Sequence, residues 1–157
     1  MQLLDKISLG FGRKIPTILQ TEATECGLAC IAMVAHFYGY ESDLLTLRRR
    51  FPVSQKGSNL NQLIKISNQL NLVTRPLKLD LEDLSQLKTP CILHWDFNHF
   101  VVLQEISGNK VTLLDPAFGK RILTLDEVSE HFTGVALELW PDTEFEKKEE
   151  KNQIQLK

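Results

Sequence analysis

Cysteine is scarce in this sequence of 157 residues: there are three, and none stands in a Cys-x-x-Cys pair. Because small secreted domains that depend on disulfides carry an even set of cysteines, a disulfide scaffold is not expected, and a reducing compartment is favoured. A chain of this length can bury enough apolar surface to fold as one domain without a disulfide or a structural metal.

A strong net charge is also missing, since the formal charge is −2 with 24% charged and 43% hydrophobic residues. This is the composition of an ordinary globular domain, and it offers no basic field that would attract nucleic acid. The segment "GFGRK" near the start has neither the spacing nor the preceding strand of a phosphate-binding loop. If nucleotide is needed, another domain must bind it.

Long apolar runs are absent as well. The longest, "CGLACIAMVAHFYGY", is too short to span a bilayer and contains His36. The start "MQLLDKISLGFGRK" is interrupted by Asp5 and Lys6 and is followed by no small-residue cleavage site, so a signal peptide is not expected. The sequence therefore predicts a soluble chain in the cytosol.

Helical patterns come first along the chain and strand patterns follow, which predicts an α+β domain. Residues 27–38 are apolar on nearly every face, as in a central helix. The strongest strand signal is a hairpin in which "HFVVLQEI" and "VTLLD" flank "SGNK". The other predicted elements are helices over 44–50, 59–70, 81–87 and 125–132, and strands over 72–79, 91–95, 121–123 and 135–140.

Several residues predict where these elements begin or lie. Ser42 or Asp43 is expected to cap the second helix and Ser58 the third, while Thr124 and Glu127 form a capping box before the last helix. Pro76 predicts an edge position for the strand over 72–79. The charged segment from residue 144 predicts a solvated linker or a frayed helix.

The stretch "QTEATECGLAC" could carry a nucleophile. Cys26 would stand where the apolar helix begins, and the outward N–H groups of a helix start favour a thiolate. The Cys26 amide and the side chain of Gln20 could then stabilise an oxyanion, if the residues between them loop back. The alternative is a packing cysteine beside a polar turn, which is the commoner role of a lone cysteine.

Four histidines could serve as the base. His36 lies inside the apolar helix, and His131 would end a short amphipathic helix. His94 and His99 lie on predicted strands. Antiparallel pairing across "SGNK" would return Asp115 beside His99, where a carboxylate can orient the imidazole. Asp115 could instead be a turn residue before Pro116.

The remaining cysteines predict packing roles. Cys30 lies one helical turn beyond Cys26, and Cys91 opens a predicted strand. Cys91, His94, Asp96 and His99 are clustered in the sequence and could bind zinc. Structural zinc sites use two closely spaced ligand pairs, however, and the sequence has one such cluster. No metal is therefore expected.

The segments "QTEATECGLACIAMVAHFYG", "TPCILHWDFNHFVVL" and "LLDPAFG" together resemble the N-terminal peptidase domain of bacteriocin-exporting ABC transporters, most closely the colicin V exporter type. The resemblance covers residues 15–140. It implies a papain-like α+β fold, in which a helical half packs on an antiparallel sheet and the active site lies between them. It identifies Cys26 as nucleophile, His99 as base and acid, Asp115 as orienting carboxylate and Gln20 as oxyanion-hole residue, with no cofactor.

By the same resemblance, the expected function is a cysteine endopeptidase that removes the double-glycine leader peptide of a bacteriocin or microcin precursor before export. The implied partners are the precursor, the transmembrane and nucleotide-binding domains of the same exporter, a periplasmic adaptor and an outer-membrane channel. The domain would lie on the cytoplasmic side of the inner membrane. Residues 1–14 would be a lead-in, 15–142 the peptidase domain and 143–157 a charged linker toward a transmembrane domain.

Alternatives remain open at this point. The same cleft could dock leader or cargo without cutting, or the domain could be a zinc-binding regulator. A narrow channel could admit the two leader glycines and exclude bulkier residues. Its candidate walls are Trp95, Phe97 and Asn98, just before His99 in the sequence, although Trp95 and Phe97 could simply pack. The leader upstream of its glycines would dock as an amphipathic helix in an apolar groove, which the sequence does not locate.

Overall fold

The computed structural model describes residues 14–146 and the backbone of 148–150. Four α-helices occur in this part of the chain: α1 (Cys26–Phe37), α2 (Leu44–Arg50), α3 (Leu60–Gln69) and α4 (Leu125–Ser129). Short 3₁₀ turns span Ala23–Glu25 and Leu81–Gln86. The strands are β1 (Tyr40–Ser42), β2 (Leu72–Lys78), β3 (Cys91–Trp95), β4 (His99–Ser107), β5 (Lys110–Asp115), β6 (Gly119–Thr124), β7 (Phe132–Pro141) and β8 (Lys148–Glu150).

Six strands form an antiparallel sheet in the order β2-β7-β3-β4-β5-β6. The α+β prediction is therefore confirmed, and so is the edge position of the strand that contains Pro76. A separate parallel pair joins β1 to β8. The charged segment predicted as a linker or frayed helix thus contains a short strand, while residues 1–13, 147 and 151–157 lie outside the described residues.

Helix α1 is the centre of the main core, and every residue from Cys26 to Ala35 is buried. Such a helix needs apolar neighbours on all sides, which α2, α3 and one face of the sheet supply. Gly27 shows how closely α3 approaches, because a Cβ at this position would lie 2.6 Å from Cδ2 of Leu63. A side chain there would require the buried Leu63 side chain to move.

A second core lies on the opposite face of the sheet, under α4 and the Leu81–Gln86 turn. Because side chains alternate between the two faces of a strand, Ile92 of β3 joins the helical core while Leu93 and Trp95 join the second core. Trp95 is 2% exposed. The sequence left two roles open for Trp95, a cleft wall or simple packing, and its burial on the far face of the sheet supports packing.

The caps agree with the sequence except at one helix. Asp43 caps α2, and Thr124 and Glu127 form the predicted box before α4. Asn59, not Ser58, caps α3: its Oδ1 accepts a 2.9 Å hydrogen bond from the Gln62 amide, and Oε1 of Gln62 accepts one of 2.8 Å from the Asn59 amide. Both residue types can cap, and Gln62 at the third helical position selects Asn59.

Two predicted helices are shorter or tighter than expected. The Leu81–Gln86 segment is a 3₁₀ turn, and α4 ends at Ser129 because the chain must turn to begin β7 at Phe132. His131 therefore lies in the connection after α4 and does not cap its last turn. Among the described residues, none of the helices has the length and apolar character required to cross a membrane.

Candidate active site

Cys26 is the first residue of α1 and is 6% exposed. The 3₁₀ turn Ala23–Glu25 leads directly into it, so helical backbone runs without a break from Ala23 to Phe37. The first amides of a helix have no partner within the helix and point toward its N-terminal end. The sulfur therefore lies at the N-terminal end of the helix dipole.

His99 and Asp115 form a partly buried hydrogen-bonded pair next to Cys26. Nε2 of His99 lies 2.7 Å from Oδ1 of Asp115, whose side chain is 2% exposed. The Ala117 amide donates a second hydrogen bond to the same oxygen at 2.8 Å, and Nη1 of Arg121 lies 3.7 Å from Oδ2. Three groups thus hold the carboxylate. Because Nε2 of His99 contacts Asp115, Nδ1 is the ring nitrogen left for the hydrogen bond between His99 and Cys26.

This environment shifts the pKa of both partners. Burial lowers the pKa of His99, but hydrogen bonds to Asp115 and Cys26, with the negative charges of both, raise it more strongly, to about 9. Burial raises the pKa of Asp115, and the hydrogen bonds from His99 and Ala117, with the charge of Arg121, bring it below the usual value. The pair therefore favours an imidazolium beside a carboxylate at neutral pH.

A β-bulge sets the register that brings Asp115 and His99 onto one face of the sheet. Near the turn, Ser107 pairs with Lys110, a register that would set Leu113 opposite Gln104. The register shifts between Leu103 and Glu105, so that Leu113 pairs with Leu103 instead. Because a one-residue shift moves side chains to the other face of a sheet, Asp115 shares a face with His99 only beyond the bulge.

Gln20 is tied to the loop that follows Asp115. Its backbone amide donates a 2.9 Å hydrogen bond to the carbonyl of Pro116. Its side-chain Oε1 is buried and has no hydrogen-bond partner among residues 14–146. The segment that leads to Cys26 and the turn that holds Asp115 therefore lie side by side.

A cleft of about 580 Å³ opens beside Cys26 between the helical half and the sheet. One wall is formed by the segments before α1 and α3, and the other by the loop between β3 and β4 with its flanking strands. Gly57 presents no side chain to this space, and an added Cβ would lie 3.9 Å from the Thr24 backbone. The lining residues are Ala23, Thr24, Cys26, Lys56, Gly57, Ser58, Asn59, Leu60, His94, Phe97, Asn98, Phe100 and Val135.

Phe97 is held in an unusual conformation at the mouth of this cleft. Asp96 and Phe97 both have positive φ, 52° and 66°, although neither is glycine, and Phe97 is 85% exposed. Nε2 of His94 lies 2.9 Å from the Phe97 carbonyl oxygen, and Nδ1 of His131 lies 2.8 Å from Oδ1 of Asp96. The surroundings thus enforce a backbone that a phenylalanine would not adopt alone.

Phe97→Asn should raise the stability of the protein and lower its activity. Asparagine tolerates positive φ, and the exposed ring buries little surface, so the free energy of unfolding should rise by about 1 kcal/mol. Because Phe97 lines the cleft, kcat/KM for the peptide substrate that the resemblance implies should fall about tenfold. Urea unfolding and peptide kinetics measure the two quantities.

The control is Phe118→Asn, because Phe118 is also exposed, at 78%, but is not among the residues with positive φ. It should give no stability gain. A loss of stability in Phe97→Asn, or kcat/KM equal to that of the wild type, would contradict this interpretation of the turn.

The other predicted candidates have separate partners. His94 lies in the cleft between Thr133 and the Phe97 carbonyl, and half-buried His36 lies 3.8 Å from Glu41. Cys30 and Cys91 are fully buried, and burial raises the pKa of both thiols. In the part of the chain that the structure describes, no three His, Cys, Asp or Glu side chains are grouped to hold a metal ion.

Three residues near the site were not found by sequence reasoning. Arg121 contacts Asp115 from β6, and buried Glu25, which precedes Cys26, forms an ion pair with partly exposed Arg48 of α2. The sequence contains one signal for the pair: an acidic residue stands directly before a helix that is apolar all round. A charge in that position needs a partner.

Comparison with known proteins gives consistent matches. The model of the Peptidase C39 family matches residues 14–144. The chain is 49% identical over 144 residues, 92% of its length, to the probable microcin-H47 secretion/processing ATP-binding protein of Escherichia coli. It is 47% identical over 156 residues, 99% of its length, to the colicin V secretion/processing ATP-binding protein of the same species. It spans 21% and 22% of these two relatives.

A solved structure agrees with these matches. The crystal structure of a double glycine motif protease from an AMS/PCAT transporter, in complex with the leader peptide, superposes with a TM-score of 0.78 at 37% sequence identity. The match covers 83% of this chain and 94% of that protein. The likeness therefore extends over nearly the whole of the other domain.

Proposed function

The chain belongs to the peptidase C39 family of cysteine peptidases, and from this premise we propose that it removes double-glycine leader peptides with Cys26, His99 and Asp115. The observation that carries the proposal is the chain of contacts from Asp115 through the His99 ring to Cys26 at the start of α1. A buried structural cysteine has no need of a charged histidine held by a carboxylate, whereas a nucleophile does.

In the proposed reaction, the Cys26 sulfur attacks the carbonyl carbon of the second glycine. The carbonyl oxygen becomes an oxyanion that receives hydrogen bonds from the Cys26 amide and the Gln20 side chain. His99 then donates its proton to the leaving amine as the peptide bond breaks and a thioester forms. Next, His99 removes a proton from water, which attacks the thioester and releases the leader carboxylate and the free thiol.

The cleft supports glycine as the substrate class at the two positions before the cut. Gly57 and the Thr24 backbone form one side, and Phe97 and Asn98 overhang the other. We infer that two residues without side chains pass between these walls and that a Cβ branch is excluded. Phe97 and Asn98 stay as proposed substrate contacts, while buried Trp95 does not.

Proton linkage gives a prediction about stability. Because the pKa of His99 is raised from 6.5 to about 9 in the folded protein, the imidazolium stabilises the fold. This contribution is fully present below pH 6.5 and is lost as the pH rises through about 9. The free energy of unfolding of the wild type should therefore fall over this interval, as urea titrations across it would measure.

His99→Gln is the matched variant, since it keeps a polar side chain but has no titrating ring. It should lack most of this pH dependence. If the free energy of unfolding falls equally with pH in the two proteins, His99 is not the group responsible. The charged imidazole would then be removed from the proposed mechanism.

The relatives named as secretion and processing proteins support a place for this domain in an exporter. We propose that it acts on the cytoplasmic side of the inner membrane, with the transmembrane and nucleotide-binding domains of the same exporter as partners. A periplasmic adaptor and an outer-membrane channel belong to the same proposal. A docking domain that binds leader without cutting is the alternative, because it could use the same cleft.

Mass spectrometry of the protein incubated with a panel of leader peptides tests the function. The panel contains a double-glycine leader and versions in which either glycine is replaced by alanine or valine. A single cut after the second glycine, lost on valine substitution, is expected. Binding of the double-glycine leader without any cut would favour the docking domain.

A further inference from the structure

Between Gln20 and Cys26 lies a buried carboxylate that the proposed mechanism does not use. Glu25 is 2% exposed and immediately precedes the nucleophile. Carboxylates are almost never fully buried without a partner, because removing the charge from water is costly. A buried charge at this position therefore requires a structural reason.

The reason lies in the partners of Glu25. Nε of Arg48 donates to its Oε2, and Nη2 of Arg48 donates to Oε1 at 3.1 Å, so the guanidinium binds both carboxylate oxygens. This two-point contact fixes the carboxylate in direction as well as position. It also joins the turn before α1 to α2, the helix that carries Arg48.

The same carboxylate holds the start of the loop. The hydroxyl of Thr21 donates to Oε1 at 2.7 Å, and the backbone amides of Thr21 and Glu22 point to the same oxygen at 3.3 Å each. Arg48 also donates to the Thr21 hydroxyl. Burial raises the pKa of Glu25, but the hydrogen bonds from Arg48 and Thr21 have the larger effect and bring the pKa below its usual value. The group therefore remains charged.

Cys26 does not depend on this network in the way that Gln20 does. The nucleophile is part of α1, which is packed on all sides. Gln20 lies in no helix or strand, and its backbone amide is bonded to Pro116 on one side. On the other side it is followed directly by Thr21, which the carboxylate holds.

We propose that the Glu25–Arg48 pair is a positioning device for the oxyanion hole: it holds Thr21, and through Thr21 the side chain of Gln20. The inference rests on the proposed function, in which Gln20 donates to the oxyanion. Glu25 and Arg48 are positioning residues and touch no substrate. Their loss leaves the nucleophile in place but displaces the second oxyanion donor.

Two chemical probes distinguish this role from general disruption. Acylation of Cys26 by p-nitrophenyl acetate passes through a tetrahedral oxyanion, whereas alkylation by iodoacetamide does not. In Glu25→Gln, the acylation rate constant should fall about 10²-fold, the scale expected for a misplaced catalytic group. The alkylation rate should stay within about twofold of the wild type.

A double-mutant cycle tests whether the pair acts through Gln20. Gln20→Ala alone should lower acylation by about 10²–10³-fold. Adding Glu25→Gln to Gln20→Ala should lower it by no more than a further twofold or so, since the donor that the pair positions is already absent. If the double variant loses acylation by the product of the two single losses, the proposal is overturned. It is also overturned if Glu25→Gln lowers acylation and alkylation equally.

Glu138→Gln is the matched control. Glu138 is 5% exposed, accepts a 2.7 Å hydrogen bond from the Lys88 amide and lies 3.8 Å from Arg75, but it is outside the cleft. It should lose stability and keep the acylation rate of the wild type. If it loses acylation as Glu25→Gln does, the effect reflects stability and the proposal is overturned.

Two milder variants keep the test decisive if Glu25→Gln fails to fold. Thr21 is exposed and Arg48 is partly exposed, so Thr21→Val and Arg48→Lys remove hydrogen bonds without opening the core, and the lysine keeps a positive charge beside buried Glu25. Both should lower acylation about tenfold, since each loosens one side of the same contact, and neither should change alkylation. Wild-type acylation in both would overturn the proposal. Because p-nitrophenyl acetate is not a leader peptide, these results do not depend on whether leader peptides are cut.

Discussion

Cys26→Ala should abolish cleavage of a double-glycine leader, with kcat lowered by about 10⁶-fold, the scale measured for loss of the nucleophile in a serine peptidase. The sulfur is the atom that forms the thioester, and no other group in the cleft can replace it. The substitution removes one buried atom at the end of α1, so the fold should remain intact. Single-turnover kinetics followed by mass spectrometry would measure the rate.

Cys30→Ala is the control for this variant. Cys30 lies one turn further along α1 and is fully buried, and burial raises the pKa of its thiol. Its replacement should leave the cleavage rate unaffected while lowering stability slightly. Loss of cleavage in Cys30→Ala with retention in Cys26→Ala would reverse the assignment of the nucleophile.

Asp115→Asn should lower kcat by about 10⁴-fold, as the equivalent change does in a serine peptidase. The carboxylate accepts from Nε2 of His99 at 2.7 Å and stabilises its charged form. An amide can present its NH₂ group to the ring instead, which favours the tautomer that cannot receive the thiol proton. Binding of the leader peptide should change little, because Asp115 is buried below His99 and does not line the cleft.

Asp126→Asn serves as the matched change for Asp115→Asn. Asp126 is exposed on α4, on the side of the sheet away from Cys26. It should cleave at the wild-type rate. If Asp115→Asn retains cleavage within about tenfold of the wild type, the carboxylate is a turn residue rather than part of the mechanism.

The sequence predicted the pairing of Asp115 with His99 only in outline. The hairpin signal and the turn placed the two residues at the same end of the sheet, and the resemblance supplied their roles. The contact itself depends on the bulge between Leu103 and Glu105. A bulge follows from the fit of both strands to their neighbours, and nothing in "VVLQEI" marks it.

Local chemistry was predicted better than three-dimensional contacts. The capping residues Asp43 and Thr124 and the apolar helix α1 follow from short-range patterns, and the structure confirms them. The sequence left open whether Trp95 lines the cleft or packs, because it does not fix which face of β3 meets the helices. The Glu25–Arg48 pair was missed because 23 positions separate its members, and only the packing of α2 brings them together.

Covalent labelling tests the central claim most directly. A leader peptide that carries a chloromethyl ketone in place of the carboxyl end of its second glycine would be incubated with the wild type, and the adduct would be located by peptide mapping. We predict one adduct per molecule, on Cys26, with none on Cys30 or Cys91. Labelling of another cysteine, or an unmodified Cys26 in a protein that still cuts the leader, would contradict the account.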